Sequence, residues 1–249
     1  MSAYSNDGFC VFDADPKVLI WANAAAKTAR KLVRDDTLRA TWLRHQETWF
    51  VGVDALPNAP DGSISGAVLT GPWEPYVAPQ LHWHKAQISA VYKGYPKQDP
   101  DESEANHRFR IKRCAAHVDG ILLENGRRFL REPHQFVLGI PLGTSHASPL
   151  VVWPGSHLVM QDAFRNAIGC EEPGSVELTQ AYKAARAQVF ERITPLELHL
   201  ELGQSVLLHR HLLHGIAPWK TKDTAPPEGR IVAYFRPMFE TLSDWIEHP

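Results

Sequence analysis

The sequence predicts a mainly β domain, a sandwich or barrel with helices packed on its outside. Two observations carry this. From residue 49 onward, short runs rich in β-branched and aromatic residues recur between Gly, Pro, Asp and Ser turns. Helical patterning is confined to residues 15–46 and a stretch near 174–193. No internal repeat, low-complexity tract or interdomain linker interrupts the 249 residues, so the chain reads as one domain over 1–249.

The first helical region opens at Asp15-Pro16, a carboxylate cap followed by proline in the first turn. Lys27, Arg30, Lys31 and Arg34 recur at three- and four-residue spacing and form a basic stripe, the pattern of a solvated helix face. Strands are then expected at "WFVGV" (49–53), "AQISAVY" (86–92), "FRIKRCAAHVD" (109–119), "FVLGIPL" (136–142) and "PLVVW" (149–153). Later strands are expected at "LELHLEL" (196–202), "SVLLHRHLLH" (205–214) and "RIVAYFRP" (230–237). The polar stretch "PKQDPDESEANH" (96–107) reads as a surface loop, and "NGRRFLREPHQF" (125–136) as a loop placed to cover a site mouth.

Composition narrows the function classes. A net charge of -2 gives no global pull toward nucleic acid or an anionic membrane. Cys10, Cys114 and Cys170 are scattered, which argues against a disulfide framework or a CxxC zinc site and fits a reducing compartment. The N-terminus is acidic where a signal peptide would be basic, and "VLIWANAAA" is too short to span a bilayer, so a cytoplasmic protein is expected. Oligomeric state does not follow from these features.

Thirteen histidines, several of them clustered, direct attention to metal chemistry. "RCAAHVDG" (113–120) places His117 and Asp119 two positions apart among small and apolar residues. On a strand those two side chains share a face, and a core face would carry Val, Ile or Leu instead. His199 and Glu201 repeat the HxE pattern but alternate strictly with leucines, as the wet face of a strand does. "GQSVLLHRHLLHGIAPW" (203–219) supplies His209, His211 and His214. His214 is the preferred third ligand, since it stands at the strand end with Gly215 to allow a turn; His209 and His211 line the pocket or bond neighbouring groups. Two histidines and one carboxylate on one face of a metal, with three positions open, are the ligand set of non-haem Fe(II) oxygenases. Arg230 opens the last strand and offers a fork for a carboxylate, with Arg236 of the same strand parity competing for that role.

"AAHVDG", "PLVVWPGSH" (149–157), "GQSVLLHRHLLHG" and "GRIVAYFRP" together, in this order over roughly residues 85–237, resemble the phytanoyl-CoA dioxygenase-like branch of the Fe(II)/2-oxoglutarate oxygenases. The resemblance implies a double-stranded β-helix (a cupin-like jelly roll) with flanking α-helices. It implies iron held by His117, Asp119 and His214, and Arg230 on the distal carboxylate of 2-oxoglutarate. Gln87, on the strand that follows "LHWHK", is a candidate to hydrogen-bond that cosubstrate. The implied reaction consumes O2 and 2-oxoglutarate, releases succinate and CO2, and hydroxylates a small organic substrate. Two positions depart from the family: Ile216 stands where a Ser or Thr often helps hold the cosubstrate, and the interval from His214 to Arg230 is lengthened by "KTKDTAPPE".

The remaining motifs have structural readings. "WPGSH" makes a turn in which Ser156 can cap the following segment. His82 and His84 form an HxH pair without the glutamate a cupin would add, which suits packing or a substrate entrance. Arg127, Arg128 and Arg131 are solvated charges or contacts for an anionic substrate, and Trp153 and Trp219 are core residues or pocket walls. The competing functional classes are a cupin-like isomerase or metal sensor holding Zn or Ni, and a non-catalytic binding module.

Overall fold

Two antiparallel sheets face each other, and helices cover their outer sides, in a computed structural model that describes residues 3–79 and 82–247. In chain order the elements begin α1 (Ala3–Asp7), β1 (Phe9–Phe12), α2 (Pro16–Leu32), α3 (Asp36–Trp42), β2 (Leu43–Arg44), β3 (Trp49–Gly52) and β4 (Gln87–Val91). Next come α4 (Glu104–Lys112), β5 (Ile121–Glu124), β6 (Arg127–Leu130), β7 (Phe136–Pro141), β8 (Leu150–Val152), α5 (Ser156–Ile168) and α6 (Thr179–Arg192). The chain closes with β9 (Leu196–Leu198), β10 (Ser205–His209), β11 (His214–Ile216), β12 (Arg230–Phe235) and α7 (Leu242–Glu247). The larger sheet has the order β1-β10-β7-β12-β4-β3-β2 and the smaller one β11-β8-β9. This is the expected jelly roll with flanking helices.

Strand alternation builds the layers. On β12, Ile231, Ala233 and Phe235 point outward into a core shared with Val18, Trp21, Ala22 and Ala25 of α2. Val232 and Tyr234 point inward, against Leu150, Val152 and Leu198 of the smaller sheet. Alanines along α2 let the helix lie close to the sheet, and Trp21, fully buried, donates from its indole N–H to Gly62 O at 2.9 Å. Truncating a buried indole of this kind costs about 3–5 kcal/mol. A third core under α5, α6 and α7 joins Phe164, Tyr182 and Trp245 to Val151 and Trp153.

Local signals account for several boundaries. Asp15 caps α2 as expected, its carboxylate accepting from Lys17 N at 2.7 Å. The helical region of 15–46 is broken, however: α2 stops at Leu32, and Asp35 starts α3 by accepting from Leu38 N. The run 109–119 is not a strand. Its first part continues α4, capped by Ser103, and residues 113–120 are irregular, with Cys114 and Ala115 at φ 53° and 52°. The loop expected at 125–136 is instead largely the β5–β6 hairpin. Its turn is Asn125-Gly126, both at positive φ, the sequence that two-residue hairpins favour. Arg127, Arg128 and Arg131 therefore cover no mouth: they meet Glu177, the Tyr182 ring and Glu124. No helix among the described residues is long and apolar enough to cross a membrane.

Candidate metal centre and its cavity

His117, Asp119 and His214 come together, each offering one ligand atom, with those atoms all within 4.8 Å of one another. They are the one such His/Cys/Asp/Glu group among the described residues. His117 Nε2 stands 3.2 Å from Asp119 Oδ1, and His214 Nε2 stands 3.9 Å from Asp119 Oδ2.

The backbone explains how residues 97 positions apart meet. His117 N donates to His214 O at 2.8 Å and His214 N returns the bond to His117 O at 3.0 Å. Ile216 N donates to Cys114 O at 3.0 Å, so the irregular segment lies along β11 as a short added edge. Gly215 makes this approach possible: a Cβ there would fall 2.1 Å from Cys114 O. Its role is close contact inside β11, not the turn expected from the sequence. On the other flank, Gly120 (φ +84°) passes Glu132 O at a position where a Cβ would fall 2.1 Å away.

The hydrogen bonds fix both imidazoles for metal binding. Nδ1–H of His117 donates to Ala115 O, and Nδ1–H of His214 to Leu212 O, each at 3.0 Å. Both Nε2 atoms therefore face the carboxylate, the outer-shell arrangement that orients ligating histidines. Burial alone would raise the Asp119 pKa; the His117 hydrogen bond, with Arg236 and His214, instead holds it well below the usual carboxylate range. Burial pushes the His214 pKa down to about 4, with His117 adding to the effect. For His117 burial pulls downward, yet the Asp119 carboxylate wins and raises it. An N,N,O donor set of this kind fits a divalent iron-type metal.

The cluster opens on a cavity of about 310 Å³. Gln87, Trp49, Tyr95, Arg110 and Arg236 are among its walls. Arg236 Nη2 donates to Gln87 Oε1 at 2.5 Å, and its Nη1 stands 3.7 Å from Asp119 Oδ2. His84 Nε2 accepts the backbone N–H of Arg236 at 2.6 Å, so one histidine of the HxH pair positions this arginine. Arg110 is held by Glu102, with Nε and Nη2 each 3.0 Å from Oε1.

Several expected site residues lie elsewhere. Arg230 borders a separate small cavity and not the one beside the metal cluster. Six residues of strand, on the order of 20 Å at 3.3 Å per residue, separate it from Arg236, and Val232 and Tyr234 project between them. His209 and His211 do not line the metal-side cavity; they form a buried row with His157, with ring centroids 4.9 and 5.2 Å apart along it. His157 donates from Nε2 to Ser5 O at 3.3 Å, and Ser156 accepts from Leu213 N at 3.0 Å, while Gly155 occupies the helix cap position. Trp153 packs in the core, and Trp219 N donates to Tyr95 O. Sequence reasoning missed Trp49, Tyr95 and Arg110 as cavity walls. Only Trp49 carried a signal, as the inward position of an alternating strand.

No family model matches this chain, and no curated protein does. Solved structures of similar fold include EctD from S. alaskensis with 2-oxoglutarate and 5-hydroxyectoine, 16% identical, covering 94% of this chain and 73% of its own, with a TM-score of 0.46. SnoK, a non-haem α-ketoglutarate-dependent carbocyclase from nogalamycin biosynthesis, is 13% identical over 94% of this chain and 80% of its own, with a TM-score of 0.47. AviO1 from Streptomyces viridochromogenes Tue57 is 16% identical over 94% and 92%, with a TM-score of 0.37.

Proposed function

We propose that the chain, as one domain over 1–249, is a non-haem Fe(II)- and 2-oxoglutarate-dependent dioxygenase that hydroxylates a small organic substrate. The observation that carries this is the convergence of His117, Asp119 and His214 on the wall of a cavity that also holds a guanidinium. His117, Asp119 and His214 would hold the metal, and the cavity beside them would take the small molecules. Bound iron, with O2 and 2-oxoglutarate, supplies the oxidising power that turns C–H into C–OH while the cosubstrate leaves as succinate and CO2.

The chain's own residues do the rest. With their Nδ1–H groups tied to carbonyls, His117 and His214 keep Nε2 as the atom that would ligate the metal. Asp119 contributes the anionic oxygen and stays ionised across the working pH range. Arg236 and Gln87, which share the cavity with the metal ligands, are assigned to the cosubstrate carboxylate in preference to Arg230. Trp49, Val51, Val137 and Leu150 give the cavity apolar walls that limit water around the reacting groups.

The test is anaerobic titration of the protein with Fe(II) and then 2-oxoglutarate. A weak visible charge-transfer band, formed at one equivalent of each, is the expected result. Iron binding with no band, and no succinate formed on later admission of O2, would favour the metal-sensor or isomerase reading. Failure to bind any divalent metal would favour a non-catalytic module.

A further inference from the structure

We propose that residues 95–102 form a strap that builds a recognition wall on the metal cavity, and that this wall takes a small planar carboxylate, its ring on Trp49 and its charge on Arg110. The inference rests on the oxygenase reading, whose primary substrate it describes. The observation that prompts it is a strained turn behind the cavity. His45, Gln46 and Glu47 stand consecutively at φ 54°, 49° and 64°. Non-glycine residues enter this left-handed region rarely, and then singly. Such strain persists only where surrounding contacts hold it, and it gathers at binding sites. Here the holder is Asp99, whose Oδ2 accepts from His45 N at 3.0 Å and Oδ1 from Gln46 N at 2.9 Å. The Gln46 side-chain amide donates to Gln98 O, and Lys97 N to Thr48 Oγ1 at 3.4 Å.

What the strained turn secures is Trp49. His45, 6% exposed, lies parallel to the indole, with ring centroids 5.9 Å and planes 4° apart, and Tyr95 meets both rings edge-on. The indole N–H donates to Ser89 Oγ at 2.9 Å. Trp49 thus reaches the cavity as a fixed flat face, on which a planar ring can stack. The same strap fixes the cation. Glu102 bonds Arg110 along its Nε–Nη2 edge, and its other oxygen stands 3.4 Å from His107 Nδ1, so Nη1 of Arg110 is not engaged by this carboxylate. The Tyr95 hydroxyl lies beside the guanidinium; burial pushes its pKa up to about 12, so it keeps its proton. Among the described residues, Arg110 and Arg236 are the only cavity-lining arginines or lysines, and Asp119 is the only cavity-lining carboxylate. Arg236 is assigned to the cosubstrate and Asp119 to the metal. Arg110 is the cation left for the molecule to be oxidised, and its fork matches a carboxylate.

The experiment is isothermal titration of metal-free full-length protein with sodium phenylacetate, with phenylacetamide and cyclohexylacetate as the uncharged and non-planar controls. Saturable binding of phenylacetate is expected, about tenfold tighter than that of phenylacetamide and about fivefold tighter than that of cyclohexylacetate. Arg110→Gln should lose about tenfold in affinity and Trp49→Leu about fivefold. Asp99→Asn, which changes no group on the wall itself, should weaken binding by about as much as Trp49→Leu and alter the near-ultraviolet circular dichroism of the tryptophans. Should Arg110→Gln or Asp99→Asn fail to fold, Arg110→Lys and His45→Leu replace them, with losses in the same direction. No saturable binding, equal affinity for either control, or a larger loss in Arg236→Gln than in Arg110→Gln overturns the proposal. A lower Tm in Asp99→Asn with unchanged affinity would leave Asp99 a structural role only and overturn the strap. Phenylacetate binding in a protein that gives no charge-transfer band with iron and 2-oxoglutarate would sink the oxygenase reading and keep the wall; a band without phenylacetate binding would do the reverse.

Discussion

Arg236 bridges the two parts of the metal-side cavity: one guanidinium nitrogen bonds Gln87 Oε1 at 2.5 Å, and the other stands 3.7 Å from the Asp119 carboxylate. The cation therefore sits where an incoming carboxylate would compete for it, already oriented by His84 through its backbone N–H. Losing one partner of a buried charge-assisted contact costs on the order of 2–5 kcal/mol. Arg236→Gln should thus raise the 2-oxoglutarate concentration that half-saturates the charge-transfer band by more than tenfold. Fe(II) affinity should change far less. An unaltered 2-oxoglutarate titration would remove Arg236 from the cosubstrate site.

The three ligands are expected to act as a unit. His117→Ala, Asp119→Ala and His214→Ala should each fail to retain iron after desalting and form no succinate, while their far-ultraviolet circular dichroism stays that of the wild type. His211→Gln should keep stoichiometric iron, because His211 packs against Trp245 with ring centroids 4.1 Å apart, away from the cavity. Metal loss in His211→Gln with retention in His214→Ala would reverse the choice of distal ligand.

Gly215 provides a test of how the ligands are brought together. A methyl group at this position meets Cys114 O at 2.1 Å, a backbone atom that cannot rotate away. Gly215→Ala should separate the 113–117 segment from β11 and cost on the order of 1–3 kcal/mol, seen as a lower Tm. Iron affinity should fall with it, although no ligand has been changed. Full retention of both would show that the segment tolerates displacement.

The buried histidine row predicts acid sensitivity. Burial pushes the His209 pKa down to about 2 and that of His211 well below the imidazole range, with Arg210 adding repulsion at both. His211 has neither ring nitrogen hydrogen-bonded, so it too is built to stay neutral. These folded-state pKa values lie below the unfolded value of about 6.5, so below that pH the unfolded chain takes up protons that the folded one refuses. Stability is fully present above about pH 6.5 and falls with acidification, by about 2.7 kcal/mol per pH unit once both groups would titrate in the unfolded chain. Urea unfolding at pH 6 and pH 5 measures this. A slope unchanged in a His209→Gln, His211→Gln double variant would assign it to other groups.

Much of this protein follows from local pattern. Alternation on β4, β7, β10 and β12 marks their two buried faces, and Asp15-Pro16 marks the start of α2, because both signals depend only on neighbours along the chain. Asn125-Gly126 is an equally local signal, for the β5–β6 hairpin turn. His117, Asp119 and His214 were legible as a set because ligand chemistry restricts residue type. They meet through a bridge between an irregular segment and β11, not across neighbouring positions of a regular strand.

Tertiary structure alone sets the two arginines of β12 against different cavities. Arg230 and Arg236 share strand parity, so sequence places both on the inner face and cannot say how far each stands from the metal cluster. That distance is set by where β12 passes the loop carrying Asp119, which depends on long-range packing between the two sheets. The same packing chose His84 to hold Arg236, brought Tyr95 and Arg110 to the cavity wall, and turned His209 and His211 away from it. Periodicity fixes the face on which a side chain stands; only the folded register fixes what it meets there.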